Sequence, residues 1–220
     1  MEIIATPVQR ILTYWRFDPV TGFYLTRRGQ RVPWHKVRSI MLRVTQQAEN
    51  EILFIADEVR AGRMLVGVAQ TEVQQRLKTI HLAAMALAKG GWAQLAPTDY
   101  GRIGGILKRE FGYLNKLFVG IGEGTVKQDG GLTRRLSLYA RAARNTYFRG
   151  VRDTYAKKGF DQGRSKLRPA EHCSDCVDQD ALGWQAIDKL VPIGERKCTR
   201  NCKCVVYFRN SKTGKEAGPF

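Results

Sequence analysis

The chain has 220 residues and carries 37 Lys and Arg against 20 Asp and Glu, a formal net charge of +17. An apolar share of 43% excludes disorder as the default and fits one ordinary domain, or a main domain with a small appendage. No apolar run approaches the roughly 20 residues that cross a bilayer, and the positive excess points to polyanionic partners, nucleic acid first among them.

The start, MEIIATPVQR, lacks the basic head and long apolar segment of a signal peptide, so the expected setting is a cytoplasm. A reducing compartment favours metal ligation over disulfides. Residues 1–35 read as an N-terminal arm or β-hairpin. In TYWRFDPVTGFYLTRRGQRVPW, aromatics alternate around turns at Asp18-Pro19, Thr21-Gly22 and Arg28-Gly29. Such a piece is marginal alone, so Trp15, Phe17, Phe23 and Tyr24 are expected to pack on the body or on another subunit rather than stack on bases.

Residues 36–160 read as a helical body. Val37, Ile40, Met41, Val44, Ala48, Ile52, Ile55, Ala56 and Val59 recur at helical spacing, ending near Ala61-Gly62. A second helix is expected over Thr71–Lys89, N-capped by Thr71 and stopped by Gly90-Gly91, with Val73, Leu77, Ile80, Ala84 and Leu87 inward. His81 lies in it with no partner in the sequence pattern and reads as a packing or surface residue. A third helix starts at Pro97-Thr98 and runs through ILKREFGYLNKLFVGI, despite its glycines. GEGTVKQDGG connects it to a fourth over about Leu132–Lys158. The fold class is mainly α, a bundle of long helices with a hairpin-like arm and a small C-terminal module.

At 100° per residue, Leu136, Tyr139, Ala140, Ala143, Tyr147 and Val151 share one side of the fourth helix. Arg134, Arg141, Arg149 and Arg152 fall opposite, flanked by Arg135 and Arg144. No acid lies between Arg134 and Arg152, so the helix itself supplies no i, i+4 partner. Such a face suits phosphates or carboxylates. Two readings stand: contact with nucleic-acid backbone without sequence readout, or pairing with acids elsewhere in the fold or on a neighbouring chain. Nothing resembles a helix-turn-helix or a base-reading zinc finger.

Residues 161–220 hold every cysteine. EHCSDCVDQDALGWQAIDKLVPIGERKCTRNCKCVVYF has a C-x2-C pair, 21 residues, then C-x3-C-x-C. This spacing suits one closed tetrahedral zinc site, structural rather than catalytic, in a zinc-ribbon-like module too poor in apolar mass to fold alone. The first choice of ligands is Cys173, Cys176, Cys198 and Cys202, with Cys204 competing for the last place and His172 as a substitute. Asp175, Asp178 and Asp180 read as solvated. Disulfides or packed thiols are the alternatives, the odd number of cysteines counting against complete pairing. VVYF after Cys204 alternates like a short strand.

HCSDC, LGW, the PIG turn and CTRNCKC together resemble the C-terminus of phage head-morphogenesis proteins of the Mu F-like, minor-head type. There a C-x-x-C pair is followed by a glycine-containing loop and a closing N-C-R/K-C. FDPVTGFYLTRRGQRVPWHKVR is similar to the turn-rich N-terminal segment of a group of phage structural proteins. LAAMALAKGGWAQLAPTDYGRIGGILKREFGYL is similar to their middle helices, and YARAARNTYF to the helix before the cysteines. The resemblance thus covers most of the chain, and the cysteine motif is its most specific part. One departure is that the broader pattern has a histidine three residues before the closing C-x-C, where this chain has Thr199; Cys198 stands one residue earlier.

The resemblance implies a minor structural protein of a tailed-phage head, without enzymatic activity, present in several copies in a symmetric assembly. Its expected partners are portal, capsid or other neck proteins and packaged double-stranded DNA, with no membrane. Its expected place is the virion, and the host cytoplasm during assembly. The alternative is a cytoplasmic zinc-ribbon nucleic-acid-binding protein. A nuclease or similar enzyme is disfavoured. No compact acidic cluster for magnesium, no His-rich nuclease pattern and no phosphate-cradling glycine loop is evident, and Asp99, Asp153 and Asp161 read as caps or surface residues.

Overall fold

A computed structural model describes residues 15–198 and 202–220. The MEIIATPVQR start and Thr199 lie outside the described residues. The chain runs from a hairpin, β1 (Trp15–Asp18) and β2 (Phe23–Thr26), through four long helices, α1 (Trp34–Arg60), α2 (Val66–Lys89), α3 (Pro97–Gly122) and α4 (Gly130–Ala156). A C-terminal module follows, with β3 (Gln162–Lys166), α5 (Ser174–Ala181), β4 (Gln185–Ala186), β5 (Val205–Arg209) and β6 (Glu216–Ala217). Among the described residues, no helix is long and apolar enough to cross a membrane.

In the arm, β1 pairs antiparallel with β2, Trp15 opposite Thr26 and Asp18 opposite Phe23. Its turn is closed by Gly22 N–H donating to the Asp18 carbonyl (2.7 Å) and Val20 N–H donating to the Asp18 carboxylate (3.0 Å). The hairpin sits on the helical body through Tyr24. That ring is buried beside Trp15 and Phe17, and its hydroxyl donates to the Leu87 carbonyl near the end of α2 (2.7 Å). Gly90 caps α2 at φ 101°, and a Cβ there would lie 2.1 Å from the Phe17 ring. One glycine therefore both stops the helix and admits the arm. The four arm aromatics are packing anchors, as their alternation indicates.

The helices bury the stripes that set their period. Val37, Ile40, Met41, Val44, Ala48 and Ile52 on α1, and Val73, Leu77, Ile80, Ala84 and Leu87 on α2, are all buried. α4 lies against both α1 and α2, and α3 against α2. The start of α2 differs from the expectation. It begins at Val66, and Thr71 is an interior residue whose hydroxyl donates to the Gly67 carbonyl (3.1 Å). Ala69, fully buried, extends the Val73–Leu77 stripe by one turn, and that packing outweighs the capping preference of threonine. At the start of α3 the Asp99 carboxylate accepts from Ala96 N–H (3.0 Å) and meets Lys89 (3.2 Å), so it is a buried cap.

His81 is a packing residue, the first of its two expected roles, and it has polar partners besides. It is fully buried, with Nδ1 2.7 Å from the Thr146 hydroxyl on α4 and Nε2 3.1 Å from the Glu110 carboxylate on α3. It ties three helices together, through partners that lie far away in sequence.

Where α2 crosses α4, Gly150 leaves room for Ala88 and Met85; a Cβ at Gly150 would lie 2.6 Å from Ala88 Cβ and 2.8 Å from Met85 Sδ. Gly150→Val should lower stability by about 2–3 kcal/mol through overpacking, read from the denaturant midpoint. Helix propensity alone predicts the opposite sign, so a higher midpoint would contradict this crossing.

In the C-terminal module the sheet order is β4-β3-β5-β6, all antiparallel. β3 and β5 form its centre, from Gln162 opposite Arg209 to Lys166 opposite Val205. The sheet closes on the bundle through an aromatic hub. Tyr155 of α4 stacks on Phe208 of β5 with centroids 5.3 Å apart, and Phe220 lies 4.9 Å from Tyr155 and 4.4 Å from Trp34 of α1. Arm, helices and module share one apolar core.

Candidate metal centre

Three local structures bring the cysteines together. Cys173 is the N-cap of α5, and Cys176 N–H donates to its carbonyl (3.0 Å), so the tight first turn sets the C-x2-C thiols side by side. At the other end, Cys202 and Cys204 are buried while Lys203 between them is exposed. An extended approach to β5 alternates its side chains and so points both thiols the same way.

Cys198 is placed by the PIGERK loop. Gly194, at φ 104°, packs on Asn145 of α4, while Glu195 accepts from Asn145 Nδ2 (3.0 Å) and from Arg149 Nε (2.7 Å). The Asp175 carboxylate accepts from Lys197 N–H (2.9 Å), which fastens the loop to α5 and holds that carboxyl below its usual range. Asp175 thus positions the loop while its side chain stays 35% exposed, and it belongs to neither donor group of the cluster.

The convergence is tight. Cys176 Sγ lies 3.4 Å from Cys198 Sγ and 3.5 Å from Cys202 Sγ. Cys173, Cys176 and Cys198 have all their sulfurs within 4.8 Å of one another. So do the donor atoms of His172, Cys176 and Cys204. All five cysteines are free thiols, none joined in a disulfide. A set of thiols and an imidazole this close can hold a metal ion.

The electrostatics explain why a cation suits the place. Burial, followed by the thiols of Cys176, Cys173 and Cys202, pushes the Cys198 thiol far above its ordinary range. Burial and the Cys176 thiol push Cys204 up to about 12. For Cys202 burial also opposes ionisation, but the Cys204 N–H, the Cys176 and Cys204 thiols and the Arg196 charge together bring its pKa down. So many sulfurs cannot ionise together by themselves, and a divalent ion bound there would replace their protons.

Sequence reasoning missed Arg196. Inside GERK it reads as surface charge, yet it is only 1% exposed. Its guanidinium donates to Ser165 Oγ (2.8 Å) and the Val191 carbonyl (3.0 Å), with Nη1 3.9 Å from Cys176 Sγ. Its charge is one of the causes that lower the pKa of the Cys202 thiol.

The arginines of α4 do not form one uncommitted face. Arg141 makes a two-pronged pair with Glu49 of α1, 2.7 and 2.9 Å. Arg149 is engaged by Glu195, and Arg144 donates to the Cys202 carbonyl (3.3 Å). Arg152 lies 3.9 Å from Asp153, and Arg134 and Arg135 are exposed. The acid-free spacing on α4 is therefore answered, at Arg141 and Arg149, by acids distant in sequence. Beside the thiols a cleft of about 550 Å³ is lined by His35, Arg38, Arg144, Arg168 and Lys203. Burial lowers the pKa of both Arg38 and Arg144, and neighbouring guanidinium charges add to it.

Comparison with protein-family models, with curated proteins and with solved structures finds no match to this chain.

Proposed function

We propose that this chain is a minor structural protein of a tailed-phage head, seated with portal, inner-capsid or neck proteins next to packaged DNA, and that structural zinc closes its C-terminal module. The observation that carries the reading is the meeting of the HCSDC cysteines with Cys198, Cys202 and Cys204, on either side of the PIG turn in the sequence, at one cluster. These are the segments whose order resembles the C-terminus of phage head-morphogenesis proteins. Sulfur-rich, closed donor sets favour zinc, which has no redox chemistry and accepts tetrahedral geometry. A closed set of thiol ligands leaves no position for the water that catalytic zinc needs, so this reading gives the metal the task of holding shape. Quantitative mass spectrometry of purified virions and proheads should find the chain at a fixed number of copies per portal. Its absence from both would overturn the assignment.

DNA contact follows from the exposed part of the basic surface. Arg134→Glu with Arg135→Glu should weaken binding to duplex DNA several-fold at low salt and flatten the salt slope by about 2. Both side chains are exposed, so the fold should tolerate the change. Unchanged affinity and slope would assign this end of α4 to protein partners. The cleft beside the thiols favours a second reading, a zinc-ribbon nucleic-acid-binding protein acting outside the virion, which the same virion measurement separates from the first.

A further inference from the structure

A single tetrahedral zinc takes four donors, and six converge here. Five of them fall into two triplets that share one atom, Cys176 Sγ: Cys173, Cys176 and Cys198 in one, His172, Cys176 and Cys204 in the other. Each triplet lacks a fourth corner. Cys202 Sγ lies 3.5 Å from the shared Cys176 Sγ and belongs to neither triplet. With metal–sulfur bonds near 2.3 Å, the sulfurs of one tetrahedron stand about 3.8 Å apart. The separations of 3.4 and 3.5 Å from Cys176 need only small adjustments to match, and bound metal would draw Cys202 toward the outer donors.

We propose that the cluster binds two divalent, thiophilic ions, zinc in the first instance, as two tetrahedra sharing the Cys176–Cys202 edge. Cys173 and Cys198 complete one ion, and His172 and Cys204 complete the other. The inference rests on reading the cluster as a metal centre. Two tetrahedra that share an edge use six donors, which is the number present. The two bridging sulfurs belong to side chains 1% exposed; of the terminal ligands, Cys173, Cys198 and His172 are half-buried at the rim and Cys204 is wholly buried.

The imidazole supplies an independent observation. His172 Nε2 lies 2.6 Å from the Arg168 carbonyl. A carbonyl only accepts, so Nε2 carries the proton and Nδ1 presents its lone pair. Nδ1 is 3.7 Å from Cys204 Sγ, inside the second triplet. Metal-bound histidines are commonly oriented in this way, by a backbone carbonyl on the far ring nitrogen. A single ion held by Cys173, Cys176, Cys198 and Cys202 would leave Cys204, wholly buried, beside an oriented imidazole with no task for either.

The test is elemental analysis of the full chain purified under reducing conditions, paired with cadmium NMR after metal exchange. The expected result is two zinc ions per chain, and two cadmium resonances coupled to each other through shared thiolates. His172→Ala, at a half-buried position, should reduce the content from two to one with the helices intact by circular dichroism. One zinc in the unaltered chain, or two uncoupled resonances, would overturn the shared-edge pair while leaving a metal clamp in place. Two ions retained in His172→Ala would place the histidine outside the site and overturn the ligand assignment. No metal at all, with the fold intact, would instead remove the metal reading on which the pair rests.

Discussion

Cys176→Ser is expected to strip the C-terminal module of metal and to lower the melting temperature by roughly 10 °C or more. Cys176 is the sulfur common to both triplets and is only 1% exposed. Losing it removes a corner that every arrangement of the site requires. Structural zinc contributes about 10–16 kcal/mol of apparent binding free energy in small zinc modules, most of it spent on folding them. Here the sheet also leans on the bundle, so only part of that is felt globally. A loss of about 4 kcal/mol corresponds to roughly 10 °C for a chain of this size. Thermal melts in reducing, zinc-containing buffer check this. A melting temperature within about 2 °C of the unaltered chain would mean that the thiols pack without holding metal.

Phe220→Ala should be nearly as costly, about 3–5 kcal/mol, by a route independent of metal. The Phe220 ring is 1% exposed and fills the space between Trp34 of α1, Tyr155 of α4 and Phe208 of β5. Its backbone exchanges hydrogen bonds with Val206, so the residue acts as an extra strand partner as well as a core side chain. Edge-on and tilted aromatic pairs contribute about 0.5–1.5 kcal/mol each beyond area burial. The variant should keep its metal content while its denaturant midpoint falls. A change below about 1 kcal/mol would show that the module is not anchored through this hub.

The two substitutions separate what could be read from the sequence and what could not. The long helices were legible because Val37, Ile40, Met41 and Val44, or Val73, Leu77 and Ile80, repeat at the helical period, and burial follows that period directly. The hairpin was legible from its turns. β3 was not. Its buried positions are Gly163 and Ser165, chosen so that Leu190 and the Arg196 guanidinium can approach, and so the strand shows no apolar alternation. Cysteine spacing pointed to the metal module, but spacing alone does not show that His172 and Cys204 turn toward the same centre. Arg141 with Glu49, and His81 with Glu110 and Thr146, escaped for a shared reason. Each pair is assembled by helix packing between residues far apart in the chain, and a pattern confined to one helix sees only half of it.

Hydrogen exchange on the full chain, with and without a strong zinc chelator under reducing conditions, tests the central claim that metal holds the C-terminal module. The account predicts that chelation abolishes protection at the β3–β5 amides and the first turn of α5, while the interior amides of α1, α2 and α4 keep theirs. Protection of the β3–β5 ladder that is unchanged by the chelator would contradict it.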